Sequence, residues 1–272
     1  MSESSSHSPS LLVTLASETL SALRFYSRWP LPIFAFEGDP HRAPDFRTLP
    51  RILPLAGAII TLPAIFVAWI AALIDLSSFT LALLVVASLV IVTGAMAEDG
   101  FADVADGFFG GHTAERRLEI MADSRVGAFG VVALILAVSM KASSLAALFD
   151  HHGVIALSAA LLVSGALSRV AGILPLVFLP PVRPGGRSAS VGRPSVVVTT
   201  IAVVTVLSLG ALILFFSGIP PRGISACLLL GFASAFPMLV LAQSKIGGQT
   251  GDVAGATQQV AEIMCLLALS VA

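Results

Sequence analysis

The sequence predicts an all-α, polytopic integral membrane helix bundle of about seven transmembrane helices with a cytoplasm-facing acidic site. Three observations carry this. The chain of 272 residues is 56% hydrophobic and only 11% charged, against roughly 25% charged residues in soluble domains. Its mean hydropathy is +0.96. Seven stretches reach the roughly 20 mostly apolar residues that a membrane helix needs.

Those stretches are 52–74, 79–97, 127–149, 153–179, 195–217, 222–243 and 252–272. All must be helical, because lipid offers no partner to an open backbone. The last is the weakest, since Asp252, Gln258, Gln259 and Glu262 occupy its first half. Residues 11–27, LLVTLASETLSALRFYS, are apolar but short. They predict a helix lying at the interface or packed on the bundle. The opening MSESSSHSPS is polar, and residues 1–10 read as a disordered tail. It lacks the basic region, apolar core and cleavage site of a signal peptide. No internal repeat or low-complexity linker interrupts 1–272, which reads as a single membrane-embedded domain.

The connections alternate between two sides. One side holds 1–51, 98–126, 180–194 and 244–251; the other holds 75–78, 150–152, 218–221 and the C-terminus. Of the 15 lysines and arginines, all fall on the first side except Lys141, Arg169 and Arg222. Positive charge marks the cytoplasmic side, and the opposite loops are very short, so the chemistry belongs at the cytoplasmic face. Arg169 and Lys141 lie within spans. Arg169 is expected to find its partner among the acids, and Lys141 to snorkel or to sit nearer a span end. The net charge of −1 gives no field for nucleic acid. Cys227 and Cys265 sit alone in apolar runs and read as buried small residues. The histidines (His7, His41, His112, His151, His152) show no metal-ligand spacing and read as surface residues.

Residues 98–107 read EDGFADVADG. Glu98, Asp99, Asp103 and Asp106 fall together in a chain with only 16 acidic residues. If this stretch continues the second membrane helix, Asp99, Asp103 and Asp106 sit at i, i+4 and i+7 on one face. Three carboxylates there repel one another, and a divalent cation removes the conflict. Oxygen donors without Cys or His suit Mg²⁺ or Mn²⁺ rather than zinc. Glu98 points elsewhere on the wheel, where it supports the ligands or acts as a base. Gly100 and Gly107 are expected to let a bulky ligand approach the backbone. The alternatives are a proton or ion pathway and a solvated acidic helix end. A helix C-terminus disfavours acids, which argues against the second.

Three further stretches carry candidate residues. Residues 115–130 contain ERRLE and then DSRVGAFG. Asp123 and Ser124 read as N-caps of the third membrane helix. That N-terminus, with Arg125 and two glycines, is a candidate phosphate site. Arg116 and Arg117 read either as phosphate clamps or as partners for Glu119 and the lipid surface. In GGQTGDVAGA, residues 247–256, a Gly-rich loop ending at Gly251 leads into the last helix. Asp252, Gly255, Gln259 and Glu262 share a face there and are expected to line the pocket of the acidic cluster; the plainer alternative is a flexible loop with an N-cap aspartate. PPVRPGGRSASVGRP, residues 180–194, reads as a cationic lid over an anionic substrate or as a plain positive-inside loop. Acids for a metal, arginines for phosphate and glycines for close approach are parts of phosphoryl transfer. No GxxxxGK[ST] occurs, so the expected substrate is an activated nucleotide derivative.

EDGFADVADGFFGG, ERRLEIMADSRVGAFG, RPGGRSASVGRPS and GGQTGDVAGATQQVAE follow one another in this order, after LRFYSRWPLP. Together they resemble the cobalamin synthase family, the adenosylcobinamide-GDP ribazoletransferases. The resemblance implies a multi-pass enzyme of the bacterial inner membrane, its active site facing the cytoplasm, acting late in cobalamin (vitamin B12) biosynthesis with Mg²⁺. It would transfer the adenosylcobinamide phosphate group from adenosylcobinamide-GDP to α-ribazole or α-ribazole 5′-phosphate, releasing GMP. The expected partners are those substrates, the lipid bilayer, and a second copy of the chain or other cobalamin-pathway enzymes, with no nucleic acid. The resemblance assigns catalysis to Glu98, Asp99, Asp103 and Asp106, and metal binding to Asp99, Asp103, Asp106 and Asp123. The residue reading adds Arg125, Ser124, Arg116, Arg117, Gly107, Gly251, Asp252 and Gln259 as candidate substrate and phosphate contacts. One position departs from the family pattern: Ala97 stands where the family often has histidine, so Glu98 is the candidate base. Two rivals fit less well. A CDP-alcohol phosphotransferase shares Asp103-x-x-Asp106-Gly107, but the residues after it do not continue that signature. A cation-coupled transporter needs acids on both sides, and the far side offers only Asp75 and Asp150.

Overall fold

Ser10 opens the first helix, its hydroxyl accepting from the Val13 N–H at 3.4 Å. The computed structural model describes residues 10–37, 39, 43–182 and 192–272. α1 spans Leu11–Tyr26, buries Ala22, Leu23 and Tyr26, and leaves Leu11 and Leu12 exposed. The short predicted helix therefore packs on the bundle by its last turns. Glu18 holds it to the 3-10 turn Leu49–Ile52 through Arg51, 2.5 Å away, and Arg24 pairs with Glu37 to fold back the segment after it.

α2 (Leu53–Ile60) and α3 (Leu62–Leu73) continue that turn into the first span. α4 (Ser78–Thr93) starts at Ser77, whose hydroxyl accepts from the Thr80 N–H at 3.3 Å. It ends at Gly94, whose φ of +63° lets the Ala95 N–H reach back to the Val90 carbonyl at 3.0 Å. Ala95 also has positive φ, +58°. Two successive left-handed residues turn the chain, and α5 (Met96–Gly110) leaves at 90° to α4. This corrects the expectation that 98–109 continue the second membrane helix. Glu98 and Asp99 lie in the first turn of a new helix, where the dipole favours acids. The dipole argument against a solvated acidic end therefore does not hold.

α6 (Ala114–Met121) is capped by Thr113, and α7 runs Ala128–Gly172. Lys141 bonds Gln259 at 3.2 Å, while Gly172 packs directly on Gln258. A straight helix would hold Lys141 and Gly172 roughly 46 Å apart, yet they touch neighbouring residues of one helix. The chain doubles back at Gly153, whose φ of +74° and ψ of −177° leave the helical region. α8 (Leu174–Phe178), α9 (Val196–Phe216), α10 (Pro221–Ala233), α11 (Ala235–Ile246) and α12 (Gly251–Ser270) complete the order.

Among the described residues, five helical stretches are long and apolar enough to cross a membrane, and the bent α4–α5 pair is a sixth. Ala128–Phe178, with its hairpin at Gly153, crosses twice. Each of the seven predicted stretches coincides with a helical segment, and the molecule is a multi-pass membrane helix bundle. α9 turns Val196, Val197, Ile201, Val204 and Phe216 outward, an apolar surface for lipid. The main core gathers α7 with α1, α2, α4 and α12 around Leu53, Leu81, Leu145, Leu157, Leu167 and Leu266. A smaller cluster of Val104, Phe108, Met121, Met238 and Val253 joins α5, α6, α11 and α12. Cys227 and Cys265 are buried and free, as predicted. The tail read as disordered, apart from Ser10, lies outside the described residues, as do His7, His41, Arg42, Arg183 and Arg187 of the predicted lid. Arg193, the remaining arginine of that loop, donates to the Val177 carbonyl at 2.6 and 3.0 Å and so caps α8.

Candidate active site

α5 runs antiparallel to α12. The Gly100 Cα hydrogen faces the Asp252 backbone so closely that an added Cβ would lie 2.9 Å from its carbonyl oxygen, and Gly255 lies against Met96 and Ala97. Thr250 caps α12, its hydroxyl accepting from the Val253 N–H at 3.3 Å. That leaves the Asp252 carboxylate in the wall of a cavity of about 510 Å³. Asp99, Gly251, Gly255 and Gln258 share the wall. Asp103 stands beside them, near enough for Asp99, Asp252 and Asp106 all to repel its charge. The remaining wall is apolar and aromatic: Phe25, Tyr26, Phe46, Met96, Ile173 and Leu176. Phe25 meets Tyr26 and Phe46 edge-on, with centroids 4.9 and 5.5 Å apart.

On another face of α5, and further along α12, the polar groups leave the cavity. Lys141 is 1% exposed, and its ammonium donates to Glu98 at 3.1 Å, Gln259 at 3.2 Å and Glu262 at 3.4 Å. Lys141 lies roughly 20 Å along α7 from Ala128, within a hydrocarbon core about 30 Å thick. It does not snorkel; its partners draw it inward. Arg169, also buried, donates to the Gly165 carbonyl at 2.9 Å and feels the charges of Glu262 and Glu98. These two glutamates act on Arg169 as nearby charges, and the acids of the expected metal site are not among the charges that act on it. Glu98 Oε2, Gln259 Nε2 and Arg169 Nε are buried with no bonded partner in the chain.

Asp106 has a different task. Its carboxylate accepts from the Gly127 N–H at 2.7 Å and the Gly130 N–H at 2.9 Å. These are free donors at the start of α7, so the helix end that reads as a phosphate site already holds an anion of its own chain. Gly127, not Asp123 or Ser124, is the N-cap of α7. Asp123 lies in the loop before it, where Arg125 grips it at 2.6 Å and its backbone N–H adds a bond at 3.1 Å. That grip holds the Asp123 carboxyl down at about 2. Arg116 pairs with Glu119 at 2.9 Å, and Arg117 donates to the Lys245 carbonyl at 2.9 Å, tying α6 to the end of α11. Asp106, Arg116, Glu119, Asp123 and Arg125 line a second, more open hollow of about 300 Å³.

The site residues predicted from sequence therefore divide. Asp99, Asp103, Gly251 and Asp252 come together at the first cavity. Asp106, Asp123, Ser124, Arg116 and Arg125 gather around the second hollow or its loop. Glu98 and Gln259 are buried with Lys141, so the predicted polar face of α12 lines the cavity only at Asp252 and Gly255. Gly107 packs on Met121 and Arg117 of α6, and Gly100 on α12. Gly107 admits a neighbouring helix rather than a ligand, while Gly100 packs on a helix and also lines the first cavity.

Residues 18–270 match the family described as cobalamin-5-phosphate synthase. The chain belongs to that family. The chain is 43% identical over 255 residues to an adenosylcobinamide-GDP ribazoletransferase of Azorhizobium caulinodans, covering 91% of this chain and 92% of the relative. It is 42% identical over 256 residues to the protein of that name in Sinorhizobium medicae, covering 92% and 95%. A third, from Xanthobacter autotrophicus, is 43% identical over 256 residues, covering 93% and 95%. No solved structure matches the chain. The family match takes in every cavity residue, from Phe25 to Gln258. Phe25, Tyr26, Phe46 and Gln249 went unread in the sequence, and Gln258 was read only as a polar residue within the last span. An aromatic in an apolar run carries no mark of the cavity it faces, and only the LRFYSRWPLP block hinted at the first two.

Proposed function

We propose that this chain catalyses the last joining step of cobalamin synthesis. It transfers the adenosylcobinamide phosphate group from adenosylcobinamide-GDP to α-ribazole or α-ribazole 5′-phosphate. A free ribose hydroxyl of the acceptor, other than the 5′ oxygen that α-ribazole 5′-phosphate carries as phosphate, bonds to the cobinamide-side phosphorus, the bond from that phosphorus to the GMP oxygen breaks, and GMP departs. The hydroxyl proton passes to a carboxylate of the cavity. The observation that carries this reading is the meeting of Asp99 and Asp252, from separate family blocks, in the wall of one cavity.

The carboxylates also fit a divalent cation. Asp99, Asp103 and Asp252 are hard oxygen donors that repel one another. Among the described residues no three acidic, His or Cys side chains converge into a closed metal site. Mg²⁺ commonly takes one or two protein carboxylates and completes its shell with water and substrate phosphate. One or two of Asp99, Asp103 and Asp252 would hold it, and it would neutralise charge developing on the phosphates. Asp106 supports the fold instead. We read the cavity's end as cytoplasmic and the membrane as the bacterial inner membrane; the arginines Arg24, Arg28, Arg47, Arg51, Arg116, Arg117 and Arg125, on the connections of one side in the sequence, support that reading.

The test is turnover by purified protein in liposomes. It would receive adenosylcobinamide-GDP and α-ribazole, with Mg²⁺ or with EDTA, and GMP and the cobalamin product would be separated by chromatography. Both products should form with Mg²⁺ and neither with EDTA. Folded protein that yields no GMP with either acceptor overturns the assignment.

A further inference from the structure

The first turn of α5 gives each of its residues a separate direction. Ala97 lies against Gly255 and Gly100 against the Asp252 backbone. Glu98 turns into the bundle, where it is buried, and Asp99 turns to the cavity, where it is exposed. Glu98 and Asp99 stand about 100° apart around the helix, and they carry the same chemical group. A rotation of α5 by one residue's angle would put the glutamate in the cavity and the aspartate in the core. The two carboxylates alone do not decide between these arrangements.

Lys141 decides between them. Its ammonium is 1% exposed and takes partners from two helices: Glu98 of α5 at 3.1 Å, and Gln259 and Glu262 of α12 at 3.2 and 3.4 Å. Among the described residues, Lys141 is the one hydrogen-bond donor to the Glu98 carboxylate, whose Oε2 is buried with no bonded partner. A buried charge that loses its counter-charge is strongly disfavoured. Without the ammonium, Glu98 gains by turning out toward water, and Asp99, its neighbour on the same turn, is carried away from the cavity.

We infer that Lys141 is a positioning residue. It pins Glu98 against α12 and so fixes the rotation of α5 that presents Asp99 beside Asp252. Lys141 acts through Glu98, and Glu98 holds the helix rather than moving a proton. The effect on turnover rests on the proposed reaction; the rotation of α5 rests on the geometry alone.

The experiment uses full-length protein in detergent and reads rotation and turnover separately. A Cβ at Gly255 would lie 3.6 Å from the Ala97 Cα, and both residues line the cavity. Cysteines at the two positions therefore stand within disulfide reach and open to an oxidant in water. A97C/G255C treated with copper phenanthroline should cross-link, as read by mass spectrometry of the joined peptides. K141M or E98A added to that pair should slow the cross-link severalfold. Without the cysteines, K141M and E98A should each lower kcat about 100-fold, the effect of roughly 1 Å of misplacement, with KM for α-ribazole little changed. E98K/K141E exchanges the two charges and keeps the pair, and it should restore both readouts. K141M/E98Q balances the charges without the pair, and it should stay slow in both. Cross-linking that K141M and E98A leave unchanged overturns the inference, as does a folded exchange variant that is slow in either readout. Full turnover by K141M/E98Q assigns Lys141 to stability alone and also overturns it. In each of these cases wild-type turnover still upholds the reaction. Cross-linking rates that change as expected, in a protein whose wild type yields no GMP, uphold the rotation and sink the reaction. Should K141M fail to fold, E98A and the exchange variant decide.

Discussion

The Lys141 ammonium and the Glu98 carboxylate meet 3.1 Å apart inside the membrane, with Glu262 on the other side of the ammonium at 3.4 Å. Arg169 brings a second cation to the same two glutamates. Two positive and two negative charges thus share one buried pocket of polarity. A charge at this depth is costly alone, and the four are kept by one another. Removing one partner of such a set strands the rest, at a cost of about 3–5 kcal/mol. K141M should therefore lower stability by about 3 kcal/mol or more. K141M/E98Q, which removes a charge of each sign, should recover part of the loss. Unfolding in a graded series of denaturing and mild detergents measures both.

Asp103 and Asp106 are one turn apart on α5 and should answer differently to the same change. D106N keeps one acceptor for the Gly127 and Gly130 N–H groups and loses the charge at the helix end. It should cost about 1–2 kcal/mol of stability. D103N removes a charge that three neighbours repel, so stability should hold or rise. Turnover should fall roughly 100-fold or more, as when a preorganised electrostatic group is lost from an active site. Thermal melts and turnover on the two variants separate the supporting acid from the working one. Equal effects of both substitutions on both readouts would show that the division is wrong.

Ala95 holds a left-handed conformation at the α4–α5 bend. For a residue with a Cβ this costs roughly 1–2 kcal/mol, part of which glycine gives back through a freer unfolded chain. A95G should raise stability by up to about 1 kcal/mol. A95V, with a branched Cβ, should lower it and disturb the cavity wall at Met96 and Ala97. The thermal midpoint of each variant is the measurement.

Asp123 gives a pH prediction. The Arg125 side chain, then the Arg125 backbone N–H, hold its carboxyl at about 2, below the ordinary value of roughly 3.9. A lowered folded value means that the loop pairing contributes fully above pH ~4 and is lost as pH falls through about 2. The carboxyl carbon shift of Asp123 should titrate near 2 in the wild type and return toward the ordinary aspartate range in R125A.

The spans were legible because lipid imposes a length and a composition, and each of the seven runs meets both. The joining of Asp99 and Asp252 was legible too, since both acids stand at the ends of apolar runs that the alternation of loops puts on one side. The bend at Gly94 and Ala95 was not. The apolar run passes through it unbroken, and a left-handed alanine is set by its surroundings rather than by its own preference. The task of Asp106 was hidden for another reason: its partners are backbone N–H groups, which every residue but proline carries. Lys141 looked like a misplaced surface residue because Glu98 and Gln259 lie far from it in sequence.

The buried charge set also dictates an order of assembly. Lys141 follows Glu98 by 43 residues, and Glu262 follows Lys141 by 121. Chains emerge N-terminus first, at roughly 5–20 residues per second. Until Lys141 is made Glu98 has no counter-charge, and a helix bearing four acids has no reason to leave water for lipid. α5 can settle beneath the membrane surface only after α7 has arrived, and the charges balance only once α12 is released. The cavity face is therefore the last part of the molecule to close, and a chain that stalls before α12 would keep its lipid-facing helices while lacking the cavity.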